Sequence, residues 1–335
     1  MKTTSIGIEN LCVPCHASCR YCLLCSCRKA TGVSYRRGRG FARRVYEELG
    51  AKRPDLHLFY YIGYCVDTPD LTDYIRFSRE IGSPAGRFLQ FNGLALRSGE
   101  ETEKLIRLVK AEGVESIDLT FYGTREYHDR FAGRAGDFAF LLDILAAANR
   151  VGLRADVSLP LTRENIGQTD ALLDVLDVLD GYEVGRKFIF LPHSKGRGRV
   201  LDGQRLTREE FDGLSRRVKD CFSKAAYLSE REWLERAEWE QPEGRSLTLC
   251  LMPDNIEKLE TMPVEELVAY LEGLDDQYYA QVPAIAELAA RYGDKRGRQM
   301  FRIRDLHLKW QQMYLADHPG LYDMNDETHH FSVRI

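Results

Sequence analysis

Six of the nine cysteines fall within sixteen residues, Cys12-Val-Pro-Cys15-His-Ala-Ser-Cys19-Arg-Tyr-Cys22-Leu-Leu-Cys25-Ser-Cys27. Inside this stretch lies one triple, Cys15-x3-Cys19-x2-Cys22, whose spacing no other three cysteines share. A tight loop of this kind can turn three thiolates toward one face of an iron–sulfur cube. Three protein ligands leave one iron of a four-iron cluster open, whereas four thiolates give an electron carrier. As with zinc, a closed site is structural and an open one does chemistry. Tyr21, just before the third thiolate, is placed to shield such a cluster from water. A zinc site competes, because Cys12-x2-Cys15 and Cys22-x2-Cys25 look like paired knuckles. Only six residues separate those pairs, fewer than a zinc ribbon needs.

The triple, with an aromatic before its third cysteine, resembles the radical SAM family on Cys15, Cys19, Tyr21 and Cys22. The resemblance implies a [4Fe–4S] cluster held by those three cysteines, with its open iron chelating S-adenosyl-L-methionine (SAM). It also implies reductive cleavage of SAM to a 5′-deoxyadenosyl radical that abstracts hydrogen from a substrate.

The elements that must position this loop are legible from periodicity. Residues 4–11 read as a short strand feeding it. Strands at 56–63, 87–92, 114–121, 153–160 and 187–192 then alternate with amphipathic helices at 71–81, 100–112, 138–151 and 165–179. Such alternation predicts a parallel sheet with right-handed crossovers, covered by helices. In barrel-like sheets the active site lies at the C-terminal strand ends, where the cysteine loop falls. The fold class expected is α/β, and the family implies a partial (β/α)6 TIM-like barrel over roughly residues 5–200. Domain organisation is read as a core at 1–200 and a mainly helical C-terminal extension at 201–335. That extension would cap the barrel and shape the substrate cavity. It begins at a capping box, Thr207-Arg-Glu-Glu210, opening a helix toward Leu228. One further strand is expected at 246–252, with helices at 229–239, 264–274, 278–292 and 298–316. Residues 28–44 carry seven cations and no acid, and read as a loop running into a helix near 41–50, the loop being solvated or a clamp for an anionic substrate.

Family resemblance extends to further positions. Gly63 matches the glycine turn that approaches the methionine end of SAM, although the rest of that turn departs from the family pattern. Asp67 could stand in for the missing acid against the SAM ammonium. Thr120 falls at the ribose-contacting position, followed by the Gly123-Thr124 turn and the His128-Asp129 pair, which would lock the turn to Gly133–Gly136. Ser158 is a candidate for the SAM carboxylate or ribose. Leu191 and Pro192 are apolar enough to hold adenine, and the cationic turn after them, His193 to Arg199, could meet a substrate anion or be solvated. Cys65 and Cys250 are candidate hydrogen donors to a product radical, although a buried cysteine is also an ordinary small hydrophobe. Cys12, Cys25 and Cys27 crowd the triple, and a second iron–sulfur cluster built on them is a further expectation. His329 and His330 read as solvated, and Trp310 and Tyr314 as core.

Composition sets the outer limits. The 335 residues are 44% hydrophobic and 29% charged, with a net charge of −4. That balance speaks against a nucleic-acid binder. There is no apolar N-terminal h-region and no run of about 18 apolar residues. Clustered cysteines then predict metal or redox use in a reducing cytoplasm. Expected partners are a peptide or small-molecule substrate and an external electron donor such as flavodoxin or ferredoxin. The rivals are a tRNA- or nucleoside-modifying member of the same family, and a non-enzymatic zinc- or cluster-binding protein.

Overall fold

Strand-forming residues alternate with helix formers along most of the first two hundred positions, and the chain folds accordingly. A computed structural model describes residues 1–20, 22, 30–63, 66–179, 185–194, 196–237, 239, 242–324 and 329–334, with 196–199 described in the backbone alone. All six expected strands form: β1 (Lys2–Glu9), β2 (His57–Tyr61), β3 (Phe88–Gln90), β4 (Ser116–Thr120), β5 (Arg154–Pro160) and β6 (Lys187–Phe190). Helices α1 (Tyr35–Lys52), α2 (Leu71–Glu80), α3 (Gly99–Ala111), α4 (Arg125–Ala132), α5 (Asp137–Val151) and α6 (Thr169–Val178) alternate with them.

Pairing is parallel, as the alternation predicts, but the strands fall into two ladders rather than one. One sheet runs β3-β4-β5-β6, and β1 pairs with β2 in the other. No ladder joins β2 to β3 among the described residues. At that seam the Tyr60 amide donates to the side chain of Ser83 at 3.4 Å. The Ser83 hydroxyl thus takes a donor that an adjoining strand would otherwise use.

The C-terminal third contains α7 (Arg208–Asp212), α8 (Arg216–Asp220), β7 (Leu228–Ser229), α9 (Glu230–Arg236), β8 (Gly244–Cys250), α10 (Ile256–Thr261), α11 (Val264–Gln281), α12 (Ile285–Tyr292), β9 (Met300–Phe301), α13 (Ile303–Asp317) and β10 (His330–Arg334). The single helix expected from 207 toward 228 is instead two short ones, because Ser215 caps a new start by accepting from the Val218 amide. The strand expected at 246–252 forms as β8, which pairs parallel with the free side of β1 and antiparallel with β10. Its partner β10 carries His330, which is buried, correcting the expectation of a solvated pair.

One face of both sheets is apolar. Ile6, Ile8, Leu58, Tyr60, Ile117 and Leu119 belong to one core with the inner stripes of the helices. Burying a side chain such as Ile8 contributes roughly 1.5–3 kcal/mol relative to leaving it in water. By strand alternation the opposite face carries Gly7, Glu9, Tyr61, Gln90, Asp118, Thr120 and Ser158. A second core around Trp233, Tyr278, Phe301 and the fully buried Trp310 holds the C-terminal helices together. No helix among the described residues is long and apolar enough to cross a membrane.

Residues 28–44 require a correction. The helix expected near 41–50 forms as α1 but begins already at Tyr35, so 35–40 are helix and not loop, with Ser34 accepting from the Arg37 amide as N-cap. Their arginines face acids on neighbouring helices: Arg37 with Glu260, Arg39 with Asp73, and Arg43 with Glu80. Arg44 donates to the carbonyls of Leu259 and Met262. These four are helix-packing groups, which leaves little of the anion clamp. Arg28 and Lys29 lie outside the described residues.

Candidate functional site

The cysteine loop leaves the C-terminal end of β1 and is tied down at three places. Beside β2, the Asn10 amide donates to Tyr61 O at 2.7 Å and the Val13 amide to Ile62 O at 3.1 Å. Beyond β3, the His16 amide donates to Gly93 O at 2.8 Å. At the end of α4, the amides of Ser18 and Arg20 donate to the carbonyls of Ala132 and Phe131 at 2.8 and 2.9 Å. Those carbonyls belong to the last turn of a helix, where no intrahelical donor remains. The loop therefore satisfies the α4 terminus while α4 fixes the loop.

Two glycines permit this closeness. Gly93 has φ +74°, and a Cβ built there would sit 2.1 Å from Cys15 Sγ. Gly133, the left-handed cap of α4, would carry a Cβ 2.8 Å from Ser18 O. A non-glycine residue at either place is strained in the backbone and blocked by the loop.

Cys15, Cys19 and Cys22 share the loop, and the Cys22 amide donates to Cys19 O at 3.3 Å. The Ala17 amide points at Cys15 Sγ at 3.5 Å. Cys19 packs among Tyr122, Tyr127, Phe131 and Leu201. Burial pushes its thiol up to about 12, against a hydrogen bond from the Tyr122 hydroxyl and with the sulfurs of Cys15 and Cys22 adding to the rise. Burial likewise pushes Cys12 up to about 11. Thiolates buried beside one another would need a cation to take up their charge. Among the described residues no three His, Cys, Asp or Glu side chains are gathered around a single ion. A cube does not require that, since each thiolate binds a different iron. The donor set, the glycine cradle and the loop amides fit a cluster on Cys15, Cys19 and Cys22.

Behind Cys19 stands a buried polar chain. The Tyr122 amide donates to His128 Nδ1 at 3.1 Å, and His128 Nε2 faces Asp137 Oδ2 at 3.1 Å. Burial works to raise the Asp137 carboxyl, but His128 and Arg134 overcome it and hold it below the usual range. Asp129 accepts from the amides of Gly136 and Phe138 at 2.7 and 2.8 Å, locking the turn as expected of the pair. His128 does something else, bracing Tyr122.

The remaining expected residues are spread along the strand ends. Gly63 follows β2 with φ +141°, a conformation largely reserved for glycine. Asp67 accepts from the Ala95 amide at 2.8 Å, pairs with Arg97, and lies 3.5 Å from His16 Nε2. Thr120 and Ser158 are register partners on β4 and β5. Asn92 clips the Thr120 backbone at both its amide and carbonyl, and Ser158 donates to Asp118 at 2.9 Å. Burial raises the Asp118 carboxyl despite that bond and one from Gln90. Leu191 lies in the main core with none of its surface exposed. Cys250, on β8, is the register partner of Glu9 and lies 3.7 Å from its carboxylate. Tyr21, Cys25, Cys27, Cys65 and Lys195 lie outside the described residues, as do the side chains of Arg197 and Arg199.

Sequence reasoning missed Gly93, Tyr122, Asn92 and Arg97. The Asn92-Gly93 pair directly after a predicted strand was a usable signal for the first. Nothing local marks Tyr122, whose partner is about one hundred residues away in sequence.

No protein-family model matches this chain, and no curated protein matches it. Among solved structures, native anSMEcpe with bound AdoMet and Cp18Cys peptide aligns over 93% of this chain and 97% of its own, at 11% identity and a TM-score of 0.47. Streptococcus suis SuiB bound to precursor peptide SuiA aligns over 56% of this chain and 39% of its own, at 12% identity and a TM-score of 0.41. Coproporphyrinogen III oxidase (HemN) from Escherichia coli, a radical SAM enzyme, aligns over 53% and 42%, at 16% identity and a TM-score of 0.33. The chain spans less than half the length of SuiB and of HemN. Every one of these scores lies below 0.5, so they carry no weight in assigning chemistry, which rests on the loop and its supports.

Proposed function

We propose that this protein is a radical SAM enzyme acting on a peptide or a small metabolite. The observation that carries this is the triple Cys15, Cys19 and Cys22 in a loop at the C-terminal end of β1, cradled by Gly93 and the end of α4. A [4Fe–4S] cluster held by Cys15, Cys19 and Cys22 would supply the electron for reductive cleavage of SAM and so a 5′-deoxyadenosyl radical able to take hydrogen from the substrate.

The chain's own residues bind, orient and enclose. Gly63 would give the methionine end of SAM room to approach, and Asp67, joined to the loop through His16, would stand in for the family's acid against its ammonium. Thr120 and Ser158, side by side on the open face, offer hydroxyls to the ribose or carboxylate. Leu191 backs the adenine wall from the core. The two ladders together form the wall of a partial (β/α)6 barrel, and residues 201–335 close it, reaching the first sheet through β8 and β10. An external flavodoxin- or ferredoxin-type protein in the cytoplasm delivers the electron. A peptide or polypeptide substrate is favoured by the segment from Thr120 to Asp129, which resembles family members that modify peptides or enzymes.

Anaerobic reconstitution tests this. Iron and sulfide should be incorporated with a visible charge-transfer band, and the reduced protein should turn SAM into 5′-deoxyadenosine. Alanine at Cys15, Cys19 or Cys22 should abolish both, while Cys12→Ala should keep the cluster. One colourless zinc per chain would overturn the proposal.

A further inference from the structure

Asp118 lies on the open face of β4, two residues before Thr120. It therefore sits roughly 7 Å deeper than the hydroxyl at the strand end. Its carboxylate takes two neutral donors: Oδ1 accepts from Ser158 Oγ and Oδ2 from Gln90 Nε2, both at 2.9 Å. No arginine, lysine or histidine among the described residues pairs with it. Its register partner on β5, Asp156, adds a second negative charge beside it. Arg154 is committed to Asp156, donating to Oδ1 through Nε at 3.0 Å and through Nη2 at 2.8 Å. The Arg186 amide donates to the same oxygen at 2.7 Å. Two carboxylates thus share one guanidinium, and the charge left unanswered is that of Asp118. A partly buried carboxylate without a counter-charge is costly, and such groups gather where charge is used.

Apolar rings stand on the same face. Phe188 on β6 is the register partner of Ser158 and is 43% exposed, while its neighbour Ile189 faces the core. Phe190 follows on the same side, with the two ring centroids 5.8 Å apart. Lysine and arginine suit such a place, because they lay an apolar stem along a surface and carry the charge beyond it. A ring face also attracts the cation.

We propose that Asp118 receives a basic side chain, lysine or arginine, of a peptide substrate, with the stem of that side chain lying along Phe188. This names the substrate class of the site described above and rests on its reading as a radical SAM centre acting on a peptide. The bound cation supplies the counter-charge that the chain itself withholds from Asp118. Ser158 and Gln90 hold the carboxylate in place, each leaving its oxygen room for a further donor.

The probes are N-acetyl-lysinamide and N-acetylargininamide, with N-acetylnorleucinamide as the neutral counterpart of lysine. Saturation-transfer NMR measures their affinity for the reconstituted protein with SAM present, in wild type and Asp118→Asn. The asparagine keeps the shape and loses the charge. At least one cationic probe should bind wild type more tightly than the neutral one. That affinity should fall roughly ten- to a hundredfold in the variant, the loss expected of one charge-assisted bond. Equal binding of charged and neutral probes, or no loss in the variant, overturns the proposal. So does binding of free n-butylammonium where neither blocked amino acid binds, which would point to a small amine instead. Should Asp118→Asn fail to fold, wild type labelled with para-fluorophenylalanine decides. The Phe188 fluorine signal, assigned through Phe188→Leu, should shift with the cationic probes more than with the neutral one, and equal shifts sink the idea. Iron and sulfide are assayed on the same samples. A wild type without iron overturns the reading of the loop, whereas a full cluster with no preference for the cation overturns the role of Asp118.

Discussion

The α-carbon of Gly93 lies against the sulfur of Cys15, so closely that a methyl at position 93 would stand 2.1 Å from Sγ. The end of β3 therefore fixes where the Cys15 thiol can be. Gly93→Ala should leave the fold intact at a backbone cost of roughly 1–2 kcal/mol, because only the site side of the residue is blocked. It should nevertheless displace Cys15 and lose most of the iron after reconstitution. Circular dichroism and iron analysis check this together; full iron in a folded variant would refute the cradle.

Cys250 and Glu9 meet across β8 and β1, one strand position from the loop. If the substrate radical is quenched from this side, the thiol gives a hydrogen atom and the donor protein later restores it with an electron, Glu9 relaying the proton. In D2O, wild type should then place solvent deuterium in the product and Cys250→Ala should not. Deuterium retained in that variant would exclude the thiol.

His128 has none of its side chain exposed and joins the Tyr122 amide to Asp137. Asp137→Asn keeps the shape but removes the charge that orients the imidazole and answers Arg134. Breaking a buried charged network of this kind costs about 3 kcal/mol, and a lower urea midpoint is expected. His128→Leu should cost as much, since it leaves two buried polar groups without their partner.

Stability should fall on mild acidification. Burial lowers His307 from 6.5 to about 4, and His193 is lowered in the same direction, by burial and then, against Asp305, by Arg302 and Arg304. A histidine that stays neutral when folded contributes nothing adverse above its unfolded pKa. As pH drops from 6.5 toward 4 the unfolded chain binds the proton and the native state does not, so stability is lost across that window. For His307 the loss is at most on the order of 3 kcal/mol. The urea midpoint of His307→Gln should change less between pH 6.5 and 4.5 than that of wild type. An identical slope would show that His307 does not govern it.

The sequence by itself determined the strand–helix alternation, the parallel pairing and the place of the cysteine triple after the first strand. These follow from local periodicity and from spacing within one loop, which survive in any tertiary context. It misread 35–40 as loop, because glycines and arginines there suggest mobility, while the acids that hold the helix come from distant segments such as Asp73, Glu80 and Glu260. The cap of the expected 207–228 helix was right, and its length was not. Only the tertiary structure decided that β8 joins β1 and β10 joins β8, that the strands split at Ser83, and that Gly93 and Tyr122 meet the cysteines. Such contacts are set by which chain ends a folded sheet brings to one rim. No pattern within a single segment encodes them.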